Sequence, residues 1–271
     1  MNGIKFMKSY DIYDNENCTS VGTLLCFDKE KTFIVELKDG LDEWNAPLLF
    51  NSFIKKGIYT IPREISLLWV KERIIPAERQ NINLILANHR LKEYDELKFL
   101  EISKGKCSQD SLSVKKTETV PDYVKKRMSK NLTGMFASDG KSFICFFADD
   151  SVRKVDMMKM TDIDGVDKII GNEDLFASGK VGTGGYFATF NDSIDIPAYE
   201  LFKRGIILPV SKNDFISFVK NNVFDTAQTE SELTCSRQNI AYLVKQGQLN
   251  PIKENVMGNL YLKEEVLKNK W

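Results

Sequence analysis

The β-prone runs of this 271-residue chain are short, and strongly polar turns separate them. Val21–Phe27 and Thr32–Leu37 lie on either side of Asp28-Lys29-Glu30-Lys31. Met135–Ala137 and Phe143–Phe147 likewise frame Ser138-Asp139-Gly140-Lys141, and Ser151–Asp156 follows Ala148-Asp149-Asp150. Runs of this length broken by Asp, Gly and Lys predict hairpins and meanders of antiparallel sheet. Between them come helical periods. Asn81–Asn88 is one, Tyr94–Ile102 has a stripe of Tyr94, Leu97 and Leu100, and Gly165–Leu175, a segment starting at Ala198 and Asn213–Asn222 are others. The expected class is α+β: two small α+β domains over residues 1–117 and 118–205, then a linker helix and a helix-turn-helix module over 206–271.

Composition limits the partners. The chain has 38 basic and 38 acidic residues and is 42% hydrophobic, ample for packed cores. With no net charge it has no field for sequence-independent attraction to nucleic acid or membrane, so any DNA contact must be local. The five cysteines (Cys18, Cys26, Cys107, Cys145 and Cys235) are far apart and form no CxxC pair, which argues against zinc and against a disulfide framework. No metal or other cofactor is expected. The N-terminal stretch lacks an apolar targeting region and no segment has the length of a membrane span, so a cytoplasmic location without membrane contact is expected.

The C-terminal stretch is the most informative about function. A short helix over Ala227–Leu233, the turn Thr234-Cys235, and Ser236 as the N-cap of a second helix are predicted. Ile240, Leu243 and Val244 form the apolar stripe of that second helix. Arg237, Gln238, Asn239, Tyr242 and Gln246 are left on the free face, and these side-chain types pair with base edges, Arg with guanine and Gln or Asn with adenine. Gly247 suits a left-handed helix end, and Pro251 prevents continuation. Ile252-Lys253 and Leu260-Tyr261-Leu262 flank a loop containing Asn259 and so predict a two-stranded wing, closed by a helix over Lys263–Lys270. Ser236, Arg237, Gln238, Asn239, Tyr242, Lys245, Gln246, Lys253 and Asn259 are the candidate DNA-binding residues. Arg237, Lys245, Lys253 and Lys268 could form a local positive face, although Asp225–Trp271 holds six basic and six acidic residues.

Ser236-Arg237-Gln238-Asn239-Ile240 followed by Leu243–Leu249 resembles the recognition helix of the MerR and excisionase families, which implies a winged helix-turn-helix. Phe146–Asp156, Leu175-Phe176, Gly184–Ala188 and Asn191–Phe202 resemble the bacterial domain of unknown function 2442, which implies a small α+β fold with no established activity. Trp69, Arg73–Pro76, Arg79-Gln80-Asn81, Leu91, Tyr94-Asp95 and Gly105–Asp110 are faintly similar to the N-terminal lobe of HipA-type proteins, and the large kinase core of that family has no counterpart here.

The remaining motifs have structural explanations. Gly182-Thr183-Gly184-Gly185 lacks the Lys-Ser/Thr of a phosphate loop and falls between β-prone runs, which predicts a turn. His89, without a ligating partner, suits a helix C-terminus. Asp192 and Asp195 resemble paired carboxylates, but Asp195 ahead of Ile196-Pro197 also suits an N-cap for the Ala198 helix. Lys115-Lys116, Lys125-Lys126-Arg127 and Lys130 predict a solvated linker and helix face. No nucleophile, base and orienting group stand at recognisable spacing, so the chain is not expected to be an enzyme. The expected function is sequence-specific binding of double-stranded DNA by a transcriptional regulator, as a possible homodimer whose N-terminal domains sense or dimerise. The alternative is a non-catalytic protein adaptor.

Overall fold

A computed structural model describes residues 7–42, 44–249 and 251–253. The protein is of the α+β class, with helices and antiparallel sheets. It forms two compact units, both discontinuous in sequence. One comprises Met1–Leu132 with Gly182–Lys203, the other Thr133–Val181 with Arg204–Trp271.

The first unit is built on β1 (Met7–Asp14), β2 (Thr19–Phe27), β3 (Thr32–Leu37), β4 (Thr60–Ile61) and β5 (Leu112–Thr117), in the sheet order β4-β3-β2-β1-β5. The Asp28–Lys31 turn forms as its sequence predicts, with Lys31 at φ +48° and Leu24 opposite Val35. Strand β2 alternates little because both faces of the sheet are covered. On one face Tyr10, Ile12, Leu24, Val35 and Leu37 pack with Phe50, Trp69, Val70, Leu97 and Leu100. Those residues come from α1 (Asn51–Ile54) with the turn before it, α2 (Arg63–Lys71) and α4 (Glu96–Ser103); α3 (Ile82–Asn88) lies between. Helix α4 starts where Asp95 caps Lys98 N, one residue after the predicted Tyr94. His89 is the C-cap residue of α3, as expected. Arg73 stacks 3.9 Å over the Trp69 ring and pairs with Asp110, a packing role.

On the other face, Leu25 and Ile34 pack with Val124, Tyr186 and Phe187. Val124 belongs to α5 (Asp122–Met128), in the segment expected to be a solvated linker and helix face. Pro121, which supplies no N–H, opens it at a position where none is needed.

In the second unit, β6 (Leu132–Ser138), β7 (Ser142–Phe147) and β8 (Val152–Asp156) form the predicted meander. The helix expected over Gly165–Leu175 is two, α6 (Val166–Ile170) and α7 (Glu173–Ala177). Asn172 separates them by accepting a hydrogen bond from Leu175 N and starting the second. Phe143 meets Phe176 at 4.4 Å between ring centres. Cys145 is a core residue, and burial pushes its thiol up to about 12.

After β9 (Lys180–Val181), the chain contributes β10 (Phe187–Phe190), β11 (Ile194–Pro197) and α8 (Ala198–Arg204) to the first unit. The glycine group is the tight turn that its sequence predicts, with Gly184 at φ +58° and Gly185 at φ +74°. A Cβ on Gly185 would lie 2.1 Å from the Leu132 carbonyl oxygen, so both backbone conformation and space demand glycine. The second unit resumes with β12 (Ile206–Leu208), which pairs with β8. It continues into α9 (Lys212–Asn222), α10 (Thr226–Leu233) and α11 (Arg237–Lys245). Helix α9 opens with a reciprocal cap between Ser211 and Asp214, and its Phe215 meets the Phe146 ring edge-on at 5.5 Å.

Candidate functional site

Capping fixes the two C-terminal helices. Asp225 accepts from Gln228 N, and the Gln228 side chain accepts from Asp225 N, so α10 begins with two donors satisfied. It ends with Thr234 at φ +51°, where Thr234 N donates to Ser231 O and Cys235 N to Glu230 O. That pair of bonds closes the helix in the manner usually supplied by glycine. Ser236 then accepts from Asn239 N and starts α11, as its sequence predicts. Helix α11 ends in the same arrangement, with Gly247 at φ +69°, Gly247 N donating to Val244 O and Gln248 N to Leu243 O.

Ile240 and Leu243 are the half-buried residues of α11. Ser236, Arg237, Gln238, Asn239, Tyr242, Lys245, Gln246 and Lys253 are not buried, and all but Ser236 reach well into solvent on long or planar side chains. Val244, expected in the apolar stripe, is exposed because the stripe narrows to the i, i+3 pair. Arg237 does not stand free: its Nε donates to Glu230 Oε2 at 3.1 Å, bridging α10 and α11. Asn259, the predicted wing over Glu254–Leu262, its closing helix over Lys263–Lys270, and Lys268 lie outside the described residues.

The first unit contains a second constellation, whose parts are far apart in sequence. Glu36 on β3 is fully buried. Its Oε2 accepts from Arg127 Nη1 at 2.6 Å and from Thr60 Oγ1 at 2.8 Å. Arg127 on α5 also donates to Tyr59 O, pairs with Asp39, and lies between the Tyr59 and Tyr123 rings, 5.5 and 5.3 Å from their centres. Burial pushes the Glu36 carboxyl above its usual range, against the opposing pull of the Arg127 guanidinium. Arg127 is thus no solvated linker charge. The basic run around it conceals the difference, since Lys125 and Lys126 on the same helix are exposed.

A cleft of about 110 Å³ adjoins this region, lined by Ile34, Ile61, Arg63, Tyr186, Asp195 and Tyr199 among others. Asp195 is not the N-cap its sequence suggests. It lies within β11 opposite Thr189, and its carboxylate meets Arg63 of α2, with Oδ1 accepting from Nη2 at 3.1 Å. Strand pairing fixes its direction, and Asp192 lies in the β10–β11 turn at φ +53°, its backbone oxygen accepting from the same Arg63 Nη2 at 3.4 Å. No spacing in the sequence links Arg63 to Asp195 or Arg127 to Glu36; the nearest signal is an ionisable residue set within a β-prone run, as Glu36 is in Thr32–Leu37.

Among the described residues no group of His, Cys, Asp and Glu could hold a metal ion, and no helix is long and apolar enough to cross a membrane. No family model, curated protein or solved structure matches the chain.

Proposed function

We propose that this chain binds double-stranded DNA sequence-specifically through α11 and acts as a transcriptional regulator. One observation carries the reading: a helix capped at both ends presents Arg237, Gln238, Asn239, Tyr242, Lys245 and Gln246 to solvent, directly after a short turn from α10. These side chains supply guanidinium and amide groups of the kind that pair with base edges in the major groove, and the capped backbone holds them in a fixed register. The resemblance of Ser236–Leu249 to MerR and excisionase recognition helices supports the same assignment. One module covers little DNA, so the proposal includes a homodimer that places two such helices about 34 Å apart. Val219 and Phe224, exposed on and just after α9, are the surface assigned to it.

Selection of a bound sequence from a random duplex pool tests this directly. The pair Arg237→Ala and Gln238→Ala is expected to weaken binding to the selected duplex by about 2 to 5 kcal/mol, since both side chains are assigned to base edges. Equal retention of that duplex by wild type and double variant would exclude this mode.

The Arg237–Glu230 bond favours a second reading, in which the helix pair docks a protein. In that case the double variant leaves DNA retention unchanged and Tyr242→Ala abolishes capture of the partner. The balanced charge of Asp225, Glu230 and Glu232 against Arg237, Lys245 and Lys253 is in keeping with it.

A further inference from the structure

The sheet of the second unit ends in an open edge. Its strand order is β12-β8-β7-β6, so β12 has β8 on one side and no strand on the other. Alternate residues of an edge strand turn their N–H and C=O groups outward. Among the described residues, no backbone hydrogen bond other than the ladder to β8 reaches Ile206, Ile207 or Leu208.

Proteins usually guard such edges with charge. Strand β5, at an edge of the sheet in the first unit, carries the exposed Lys115 and Lys116. Strand β12 instead carries Ile206 and Ile207, which are 65% and 61% exposed. An apolar edge without a charged guard is a template for a further strand. Pro209 has no N–H to donate and follows Leu208 directly, which confines the partner to a short register.

Charge says what that partner is. Lys154 on β8 stands opposite Ile206, and because side chains alternate between the faces of a sheet, the two share a face. Among the described residues neither Lys154 nor Lys212, at the start of α9, has an ion-pair partner. The carboxylates nearby are committed elsewhere. Asp162 accepts from both Arg204 nitrogens at 2.5 and 2.7 Å, and Asp214 accepts from Ser211 N in the cap of α9. A strand added about 5 Å beyond β12 brings the residue opposite Ile206 within reach of a lysine whose stem lies along that isoleucine.

We propose that β12 is a docking edge for an extended acidic peptide segment of another protein, with a carboxylate residue opposite Ile206 and an apolar residue opposite Ile207. Main-chain hydrogen bonds to the open edge supply affinity, and the alternating side chains supply selectivity. Pairing of β12 with itself in a second copy would set apolar residue against apolar residue and leave Lys154 and Lys212 without a counter-charge.

NMR titration of the full chain with three capped pentapeptides, Glu-Val-Glu-Val-Glu, Lys-Val-Lys-Val-Lys and Gln-Val-Gln-Val-Gln, tests the assignment. The glutamate peptide should bind saturably at millimolar concentration and slow hydrogen exchange at one or more amides of Ile206–Leu208. The lysine peptide should bind at least about fivefold more weakly, the scale of one exposed charge pair, with the glutamine peptide between them. Lys154→Glu should reverse the order of the charged peptides, and the wild-type series is decisive even if that variant fails to fold. Equal binding of all three peptides would overturn the proposal, as would an unchanged order in a folded Lys154→Glu, no saturable binding, or binding that leaves exchange at 206–208 untouched. A free chain that sediments as a dimer with those amides already protected would assign the edge to a second copy instead and overturn it too. No DNA is present in the experiment, so its outcome is independent of the α11 reading.

Discussion

Arg127 and Arg237 each pair with a glutamate on another element, yet the two pairs hold the molecule together to very different degrees. Arg127 meets a Glu36 that is fully buried, under a helix anchored by Val124 and between two tyrosine rings. Arg237 remains 73% exposed while it donates to Glu230, and among the described residues neither α10 nor α11 contains a buried one. The first arginine is fixed by its surroundings and the second by one solvent-screened bond. A side chain whose interactions are already committed in the interior positions structure, and one that can exchange its partner at little cost is available for recognition.

The sharpest test of this contrast is to remove each cation. Arg127→Ala leaves a carboxylate buried without its counter-charge and is expected to cost about 3 to 5 kcal/mol of stability in chemical denaturation. Arg237→Ala should cost no more than about 1 kcal/mol, the scale of an exposed pair. Comparable losses at the two positions would mean that the C-terminal helices are as tightly integrated as the core.

The glycines give a second, smaller contrast. Gly185 and Gly247 both adopt positive φ, but a Cβ on Gly185 would strike the Leu132 carbonyl, whereas nothing lies within 4 Å of one on Gly247. Gly185→Ala combines the strain of a left-handed residue with a backbone clash and should exceed the roughly 1 to 2 kcal/mol of conformational cost expected for Gly247→Ala. Melting temperatures of the two variants rank them, and a larger drop for Gly247→Ala would contradict the packing described for the 182–185 turn.

The smallest effect concerns pH. Asp14 accepts from Ser111 Oγ at 2.5 Å, Asn17 Nδ2 at 2.7 Å and Glu16 N at 2.9 Å, and these bonds, that of Ser111 foremost, hold its carboxyl below the usual 3.8. A carboxyl with a lowered folded-state pKa contributes stability that is present above the unfolded value and is lost as pH falls through the folded one. Asp14→Asn should therefore cost about 1 kcal/mol near pH 6, with the gap to wild type closing below pH 3.8. A gap that persists unchanged at pH 2 would show that the carboxylate charge is not what these donors stabilise.

What was legible in the sequence depended on neighbours along the chain. The Asp28–Lys31 and Ser138–Lys141 turns, the Ser236 cap, the left-handed Gly247 and the place of His89 at the end of α3 all arise from contacts spanning a few residues, which composition and spacing encode directly. Asp195 shows where that encoding becomes ambiguous: a residue before Ile-Pro can cap a helix or extend a strand, and only the pairing of β11 with β10 decides. Arg127 in a run of lysines had no mark of its own. It is turned inward because α5 covers a second face of the sheet, a fact about β2 and β3 that its own segment does not contain.

By itself, then, the sequence determined the α+β class, the hairpins and most helix ends, because backbone hydrogen bonds and turn residues act locally. It also determined which side chains α11 carries, since helical periodicity sets a face without reference to the rest of the chain. Tertiary structure alone decided that 182–203 joins the first unit, that Arg63 meets Asp195, and that Glu36 is neutralised from α5. Those pairings join residues separated by 91 to 132 positions, and their energy comes from desolvation and packing that exist only once both faces of the sheet are covered.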